Sequence, residues 1–499
     1  MDRDRDRADS EHVADAVVAI APALDRFNRF EGQDPAARRR SEWRTVLDRP
    51  LPARGEGLDA VTALLRDVLV PNGLRNGAPG FAGWVTTSPT TAAVAASLAA
   101  TVAGSQRWWL QPFNLLETVA LRWLRELLGL PEDLQGTFTS GGSTANIIGL
   151  GAARQHAFER LGIDTARDGM PPDIRWRIYA STEVHHVVTR AAAILGLGRR
   201  SVAAVPTDRE LRIDISALQR VIAEDARKGI QPVAIVATAG TVNTGAIDPI
   251  AQLETIARER GIWLHVDGAY GAFGVLDGRV AELFDGMQRA DSVAVDPHKW
   301  LAAPVGTGAV FVRDRARLGR TFTLEPAEYL EGAASQGEPE SPFDDFGDPY
   351  HDFNLDQSAP SRGAAVWAVL LEIGANGMRD RIRRHLDYAR RVAERVRADE
   401  RLELLSEPVL SICCFRYLAP GLDDAALNAL NARLAQRLRA ETPYVPSTTM
   451  VHGRFAIRPC YINPRTTMAD VDGLVDAVRR IGDTLAGAKV GVEGAKPLR

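Results

Sequence analysis

The chain has 499 residues, 45% of them hydrophobic and 25% charged, with a net charge of −4. That length and balance suit a globular protein of about three structural units and argue against wholesale disorder. The near-neutral charge gives no global electrostatic reason to expect a nucleic acid or a membrane surface as partner.

Of the 60 basic residues only Lys228, Lys299, Lys489 and Lys496 are lysines. The scarcity reads as a compositional bias toward arginine, yet it leaves lysine chemistry four places to happen. Cys413, Cys414 and Cys460 form no CxxC pair and no even framework, which fits a reducing compartment. The start, MDRDRDRADSE, has no apolar leader segment, and no apolar run approaches the ~18 residues of a membrane span. A cytoplasmic protein is expected.

In chain order, helical spacing runs from residue 11 to about 76, with Val13, Val17, Ile20 and Leu24 on one face. Such arms often pack on a partner subunit. Glycine and proline between Gly73 and Gly83 mark a boundary, and helical tracts follow over 91–103 and 112–130. Short β-type runs at 175–180, 201–205, 232–237, 262–266, 292–295 and 308–312 then alternate with helices at 215–228 and 249–260. Asp214 and Asp248 are the expected caps of those two helices. Strand–helix alternation over this span predicts a mostly parallel, doubly covered sheet, whose ligands bind beyond the carboxyl ends of the strands.

Residues 326–362 have little periodicity and read as a long mobile loop. Helices resume at 364 and over 378–401. The end, with strands near 409–417 and 454–461 and helices near 423–440 and 469–486, reads as a small α+β domain. The expected organisation is an arm over 1–77, a large domain over 78–365, a small domain over 366–488 and a tail over 489–499.

Four motifs carry chemistry. Ser140-Gly-Gly-Ser-Thr-Ala-Asn146 feeds a helix N-terminus, which offers backbone N–H groups and a hydroxyl to an anion; taken singly, a plain capping turn explains it as well. Asp267 ends an apolar strand at the expected ligand edge, where an ordinary helix cap is the competing reading. Lys299, in Asp-Pro-His-Lys-Trp-Leu (296–301), follows a β-type run and precedes apolar residues, a setting suited to an imine; the other three lysines lie in polar contexts. His185 and His186 form an adjacent pair just past a strand end. An anion cradle, a strand-end carboxylate, a lysine and a flat ring are what pyridoxal phosphate requires.

The ordered set SGGSTAN, EVHH, ATAGTVNTGAIDP, HVDGAYGAF and DPHKWL, with FNLLETVALRWL upstream and NPRTT near the end, resembles the group II pyridoxal-phosphate decarboxylases. That family includes the aromatic-L-amino-acid, histidine, tyrosine and glutamate decarboxylases. The resemblance spans about residues 79–467. It implies the α/β fold of the type I, aminotransferase-like enzymes: a mostly parallel, seven-stranded sheet covered by helices, with an N-terminal helical arm and a small C-terminal α+β domain. It also implies a homodimer with the active site at the subunit interface; from charge and the lack of apolar spans no nucleic-acid or membrane partner is expected, and no metal.

By matched position, Lys299 would be the Schiff-base lysine, Asp267 the partner of the pyridine nitrogen, and His185 rather than His186 the ring-stacking histidine. Gly142 and Ser143 would hold the phosphate, with His298 and Asp296 adding contacts. Tyr329 matches the loop tyrosine that protonates the intermediate, and Trp84, Val85 and Thr87 fall where the family builds substrate contacts. Ala78, Val187, Asp296 and Ala365 depart from the family's common pattern, which carries His, Ser, Asn and Lys there; none alters the three central roles.

The activity so implied is decarboxylation of an L-amino acid to its amine and carbon dioxide, through an imine on Lys299. Trp84, Trp108 and Trp109 suggest an aromatic or otherwise apolar substrate, although the last two equally suit an interface core. Three other activities fit the same scaffold. Decarboxylation-dependent oxidative deamination often goes with phenylalanine in place of the loop tyrosine. A transaminase would need an arginine for the α-carboxylate, for which Arg458 is a candidate. The last is a non-catalytic scaffold.

Overall fold

The computed structural model describes residues 13–30, 40–104, 112–322, 348 and 350–487. Tyr329, Trp108, Trp109, Lys489 and Lys496 lie outside the described residues. Contacts divide the chain into two units, residues 1–81 with 465–467, and residues 82–464 with 468–499.

The first unit is helical, as its apolar spacing predicts: α1 (Val13–Arg29), α2 (Arg40–Leu47) and α3 (Leu58–Leu64), the last continuing into a single π-turn, Leu65–Leu69. Helix α1 packs on α3 and on the π-turn. The 465–467 segment is tied in by Thr466, whose hydroxyl donates to the Pro79 carbonyl at 2.8 Å, and by the Arg465 guanidinium, 5.5 Å from the Phe30 ring centroid.

The second unit contains two sheets. The larger is built from β1 (Gln135–Thr139), β2 (Trp176–Ser181), β3 (Val202–Val205), β4 (Gln231–Thr238), β5 (Trp263–Asp267), β6 (Ser292–Val295) and β7 (Gly308–Val312), in the order β1-β7-β6-β5-β4-β2-β3. Neighbours from β6 to β3 pair in parallel, whereas β7 is antiparallel to both β1 and β6. Strands β5, β6 and β7 are buried along their whole length, as expected of strands covered on both faces.

Around this sheet lie α4 (Thr91–Ala103), α5 (Pro112–Leu127), α6 (Gly142–Glu159), α7 (Val187–Ile194), α8 (Ile215–Arg227), α9 (Ile250–Arg260), α10 (Arg315–Phe322) and α11 (Gly363–Arg397). Helix α11 breaks at Gly374, whose φ of 65° and ψ of 177° are not helical, so two helical segments meet there, as the sequence leads one to expect. Asp214 caps α8 as predicted, accepting from Ala217 N at 2.8 Å. Asp248 does not cap α9. Its carboxylate accepts instead from Ile213 N at 2.7 Å and Thr238 N at 2.8 Å, so it ties the α8 approach to the end of β4.

Four strands of the smaller, five-stranded sheet pair antiparallel in the order β10 (Val445–Val451), β11 (Arg454–Arg458), β9 (Cys414–Tyr417), β8 (Leu402–Ser406). Helices α12 (Asp424–Glu441) and α13 (Met468–Gly487) pack on it and share a core with the second half of α11 through Tyr388, Val392, Leu434, Leu474 and Val478. No helix among the described residues is long and apolar enough to cross a membrane.

Candidate active site

The carboxyl ends of β1, β2, β4, β5 and β6 meet at one edge of the larger sheet, because β7 is the strand that runs the other way. A cavity of about 410 Å³ opens there, lined by Gly142, Ser143, His185, Asp267, Asp296, His298 and Lys299 among others. Seven of the residues singled out in the sequence therefore share one cavity, although 157 positions separate the first from the last.

At one side β1 runs into Ser140-Gly141-Gly142, and α6 starts at Gly142 with its N-terminus toward the cavity. Gly141 has φ 124°, a conformation open to glycine and strained for other residues. A Cβ on Gly142 would lie 2.5 Å from Asp296 Oδ2 and 3.2 Å from Ala269 Cβ, so close approach as well as turn geometry requires glycine here. Behind the turn, Asn146 Nδ2 donates to the Gly142 carbonyl at 2.8 Å, and Asn146 Oδ1 lies 2.9 Å from His265 Nε2. His265 Nδ1 lies 2.8 Å from Ser292 Oγ, which also takes the Trp263 indole N–H. This buried chain fastens α6 to β5 and β6. Burial holds His265 well below the ordinary imidazole range, at about 4.

Asp267 ends β5 and is 6% exposed; Ala269 N donates to its Oδ1 at 3.2 Å. Lys299 follows β6 by four residues, and its Nζ lies 3.0 Å from Asp296 Oδ2. His298 Nδ1 faces the Thr307 carbonyl at 2.9 Å. The lysine's neighbour Trp300 is fully buried, stacked on Tyr270 with ring centroids 5.1 Å apart, and donates its indole N–H to His385 Nδ1 at 2.9 Å. The loop carrying Lys299 is thereby anchored to α11. Lys228, by contrast, is an exposed ion-pair partner of Glu224.

His185 lines the cavity and His186 is exposed beside it, with ring centroids 4.1 Å apart. Burial pushes the His185 imidazole down; His186 and Lys299 act in the same direction, while Asp267 and Asp296 oppose. Val187, the next residue, also lines the cavity.

A second cavity of about 500 Å³ shares His185, Val242 and Lys299 with the first and extends to β10. Trp84 and Val85 line it; Thr87 is fully buried and lines neither cavity, with its hydroxyl unpartnered among the described residues. Arg458 is 2% exposed and donates to the backbone carbonyls of Asn243 at 3.2 Å, Trp84 at 2.9 Å and Val242. Trp84 itself adopts φ 49°, held by Arg458 and by Ser447 Oγ, which accepts from its backbone N–H.

The sequence reading missed Thr238 and Asn146, the first lining the cofactor-side cavity at the end of β4, the second supporting the turn. The visible signals were a threonine at a strand end on the ligand edge and the asparagine closing the SGGSTAN run.

The residues fit pyridoxal phosphate. A glycine turn at a helix N-terminus, a buried strand-end carboxylate and a lysine surround one space. Thr238 Oγ1 and Asp296 Oδ1 are buried in its wall without hydrogen-bond partners among the described residues. The family model for the pyridoxal-dependent decarboxylase conserved domain matches residues 41–418. The chain belongs to this family. It is a carbon–carbon lyase whose cofactor is pyridoxal phosphate.

Among its relatives, the aromatic-L-amino-acid decarboxylase of Bacillus atrophaeus is 31% identical over 372 residues, 74% of either chain. The L-2,4-diaminobutyrate decarboxylase of Rhizobium meliloti (strain 1021) is 30% identical over 437 residues, covering 86% of this chain and 83% of that one. The solved structure of Oryza sativa TDC with PLP and tryptamine superposes with a TM-score of 0.84 over 97% of this chain and 99% of that one; at 24% identity it is a likeness of fold.

Proposed function

We propose that this family member decarboxylates an L-amino acid with an aromatic or otherwise apolar side chain, releasing the amine and carbon dioxide. The observation that carries the reading is the convergence of Lys299, Asp267, His185 and the Gly142–Ser143 turn on one cavity. Bound pyridoxal phosphate supplies the sink for the electron pair left when the carboxylate departs.

The chain's own residues have distinct tasks in this reading. Lys299 would hold the cofactor covalently through its amine. The buried carboxyl group of Asp267 would face the ring nitrogen and favour a proton there. His185 supports the ring, and its depressed proton affinity suits a neutral imidazole there. Gly142 and Ser143, at the N-terminus of α6, take the phosphate through backbone N–H groups and a hydroxyl, with His298 alongside. Asp296 holds the Lys299 ammonium. Tyr329, outside the described residues, or a water would supply the proton that returns to Cα. Trp84 and Val85 wall the substrate vestibule, with Thr87 behind them.

Three observations support the finer points. Trp84, Val85, Val242, Val445 and Pro446 make much of the vestibule wall apolar, and one relative at 31% identity acts on aromatic amino acids by its name. Three of the five guanidinium N–H donors of Arg458 go to main-chain carbonyls, which ties the side chain to the backbone and weighs toward decarboxylation over amino-group transfer. Exposed Val94, Leu98 and Val102 on α4, with Leu115 and Leu371, form apolar surface suited to a second copy of this chain, and the three unpaired, buried thiols suit the cytoplasm.

The experiment is a panel of amino acids with the purified holoenzyme, following carbon dioxide, amine, oxygen and peroxide together. Equal yields of amine and carbon dioxide without oxygen uptake are expected. Stoichiometric oxygen consumption with an aldehyde product would replace this reading with oxidative deamination, and retention of a carboxyl label in a keto acid would replace it with transamination.

A further inference from the structure

The second cavity begins at His185 and Lys299 and runs away from the cofactor-side cavity toward β10 and the end of α12. If the reaction proposed above takes place at Lys299, this is where a substrate side chain extends. Its ionic composition is one-sided: Arg439 and Arg458 line it together with Lys299 and His185, and among the described residues no aspartate or glutamate does.

Most of its polar groups are already committed. Arg458 places three of its five N–H donors on main-chain carbonyls, and Ser447 Oγ takes the Trp84 N–H. Thr449 Oγ1 donates to Asn243 Oδ1 at 2.8 Å, and Asn243 Nδ2 donates to Glu183 Oε2 at 2.8 Å. Glu183 therefore turns its charge to the loop and not to the cavity. Lys299 is engaged by Asp296. Arg439 differs: it sits in the last turn of α12, exposed, with no hydrogen bond or ion pair to any described residue.

We infer that this vestibule selects substrates by side-chain charge, rejecting ammonium-bearing side chains and accepting neutral aromatic or anionic ones, with Arg439 as the specificity-determining residue. The inference rests on the decarboxylase reading only for the location of the side chain. An ammonium group entering here would shed water, meet two guanidinium groups and find no carboxylate among the described residues. A neutral ring meets Trp84, Val85 and the flat face of a guanidinium. A ring bearing a carboxylate finds in Arg439 an uncommitted fork of donors. The chain would then differ in substrate from the relative named for diaminobutyrate, despite 30% identity.

The test uses holoenzyme and three probes: L-phenylalanine, 4-carboxy-L-phenylalanine and L-2,4-diaminobutyrate. Dissociation constants come from titration of the cofactor's visible spectrum, with carbon dioxide release measured alongside. Both aromatic probes should bind at least about tenfold more tightly than diaminobutyrate, the scale of one charge interaction at intermediate dielectric. Arg439→Glu should shift the ratio between the carboxylated and the cationic probe by about tenfold or more toward the cation, while Arg439→Lys keeps the original order. Diaminobutyrate binding as tightly as phenylalanine, or an unchanged ratio in Arg439→Glu, overturns the inference. The expected binding order without carbon dioxide release from any probe supports the charge selection and sinks the decarboxylase reading instead.

Discussion

The ammonium of Lys299 lies 3.0 Å from the carboxylate of Asp296, three residues earlier in the same loop, and the carboxylate is 2% exposed. A buried charge of this kind is tolerable because it is paired. The pairing also gives the lysine a fixed position on the cavity wall.

Lys299→Ala should abolish turnover and the visible absorbance of lysine-bound cofactor. It should also destabilise the cofactor-free protein by about 2–4 kcal/mol, because Asp296 loses its cation. Asp296→Asn in the same chain should recover at least half of that loss in urea unfolding. An additive double mutant would mean that the pair contributes nothing to the fold.

Gly142→Ala places a methyl group 2.5 Å from Asp296 Oδ2. The carboxylate must move, disturbing both the cradle and the hold on Lys299. Overpacking of this kind costs about 1–3 kcal/mol, and cofactor affinity measured by fluorescence titration should fall about tenfold or more. Gly278→Ala, where nothing lies within 4 Å of the added carbon, is the control and should leave affinity unchanged.

His265 links stability to pH. Its folded-state value of about 4 lies below the ordinary 6.5, so the unfolded chain binds the proton more tightly. Its contribution is complete above about pH 6.5 and is lost as pH falls toward 4, about 3 kcal/mol across the window. Burial lowers His156 to about 4 as well, with the same sign. Asp248, raised by burial to about 6, has the opposite sign, since its contribution is lost as pH rises through 6. The cleaner measurement is therefore the difference between wild type and His265→Gln, which should shrink as pH drops from 7 to 4.5.

Arg458→Met should destabilise by about 2–4 kcal/mol, because the carbonyls of Trp84, Val242 and Asn243 lose their shared donor in a buried setting. Trp84 and Val242 both line the vestibule, so KM should rise more than kcat falls. A selective loss of kcat with KM unchanged would point instead to direct contact with the reacting carboxylate.

Much of the cofactor site was legible because its parts are local. A glycine turn before a helix, an aspartate closing an apolar strand and a lysine just past another each read within a few residues. Strands β2 to β7 were legible for the same reason, being short, apolar and bounded by turns. Strand β1, Gln-Gly-Thr-Phe-Thr, escaped because its sequence carries little apolar signal and its place depends on pairing with β7. Strands β8 and β10 escaped because they are only partly buried. The α9 cap was misassigned to Asp248 by a short-range rule, whereas the carboxylate is claimed by Ile213, 35 positions upstream. Of the vestibule, the resemblance pointed to Trp84 and Val85, but Arg439 could not be read, since the wall joins residues near 84, 242 and 445 that only the folded chain brings together.

The pairing of β1 with β7, Thr139 opposite Gly308, has a consequence for the order of assembly. During synthesis β1 emerges early but has no strand to pair with until residue 308 and beyond have followed. His185, Asp267 and Lys299 are all made in that interval. Because pairing this distant in sequence is slow to form, the turn proposed to hold the phosphate is expected to be fixed only once β7 is in place. In the proposed reading pyridoxal phosphate would then be a ligand of the finished domain, and a chain truncated before β7 would carry Lys299 yet lack the strand that pairs with β1 ahead of the Gly142 turn.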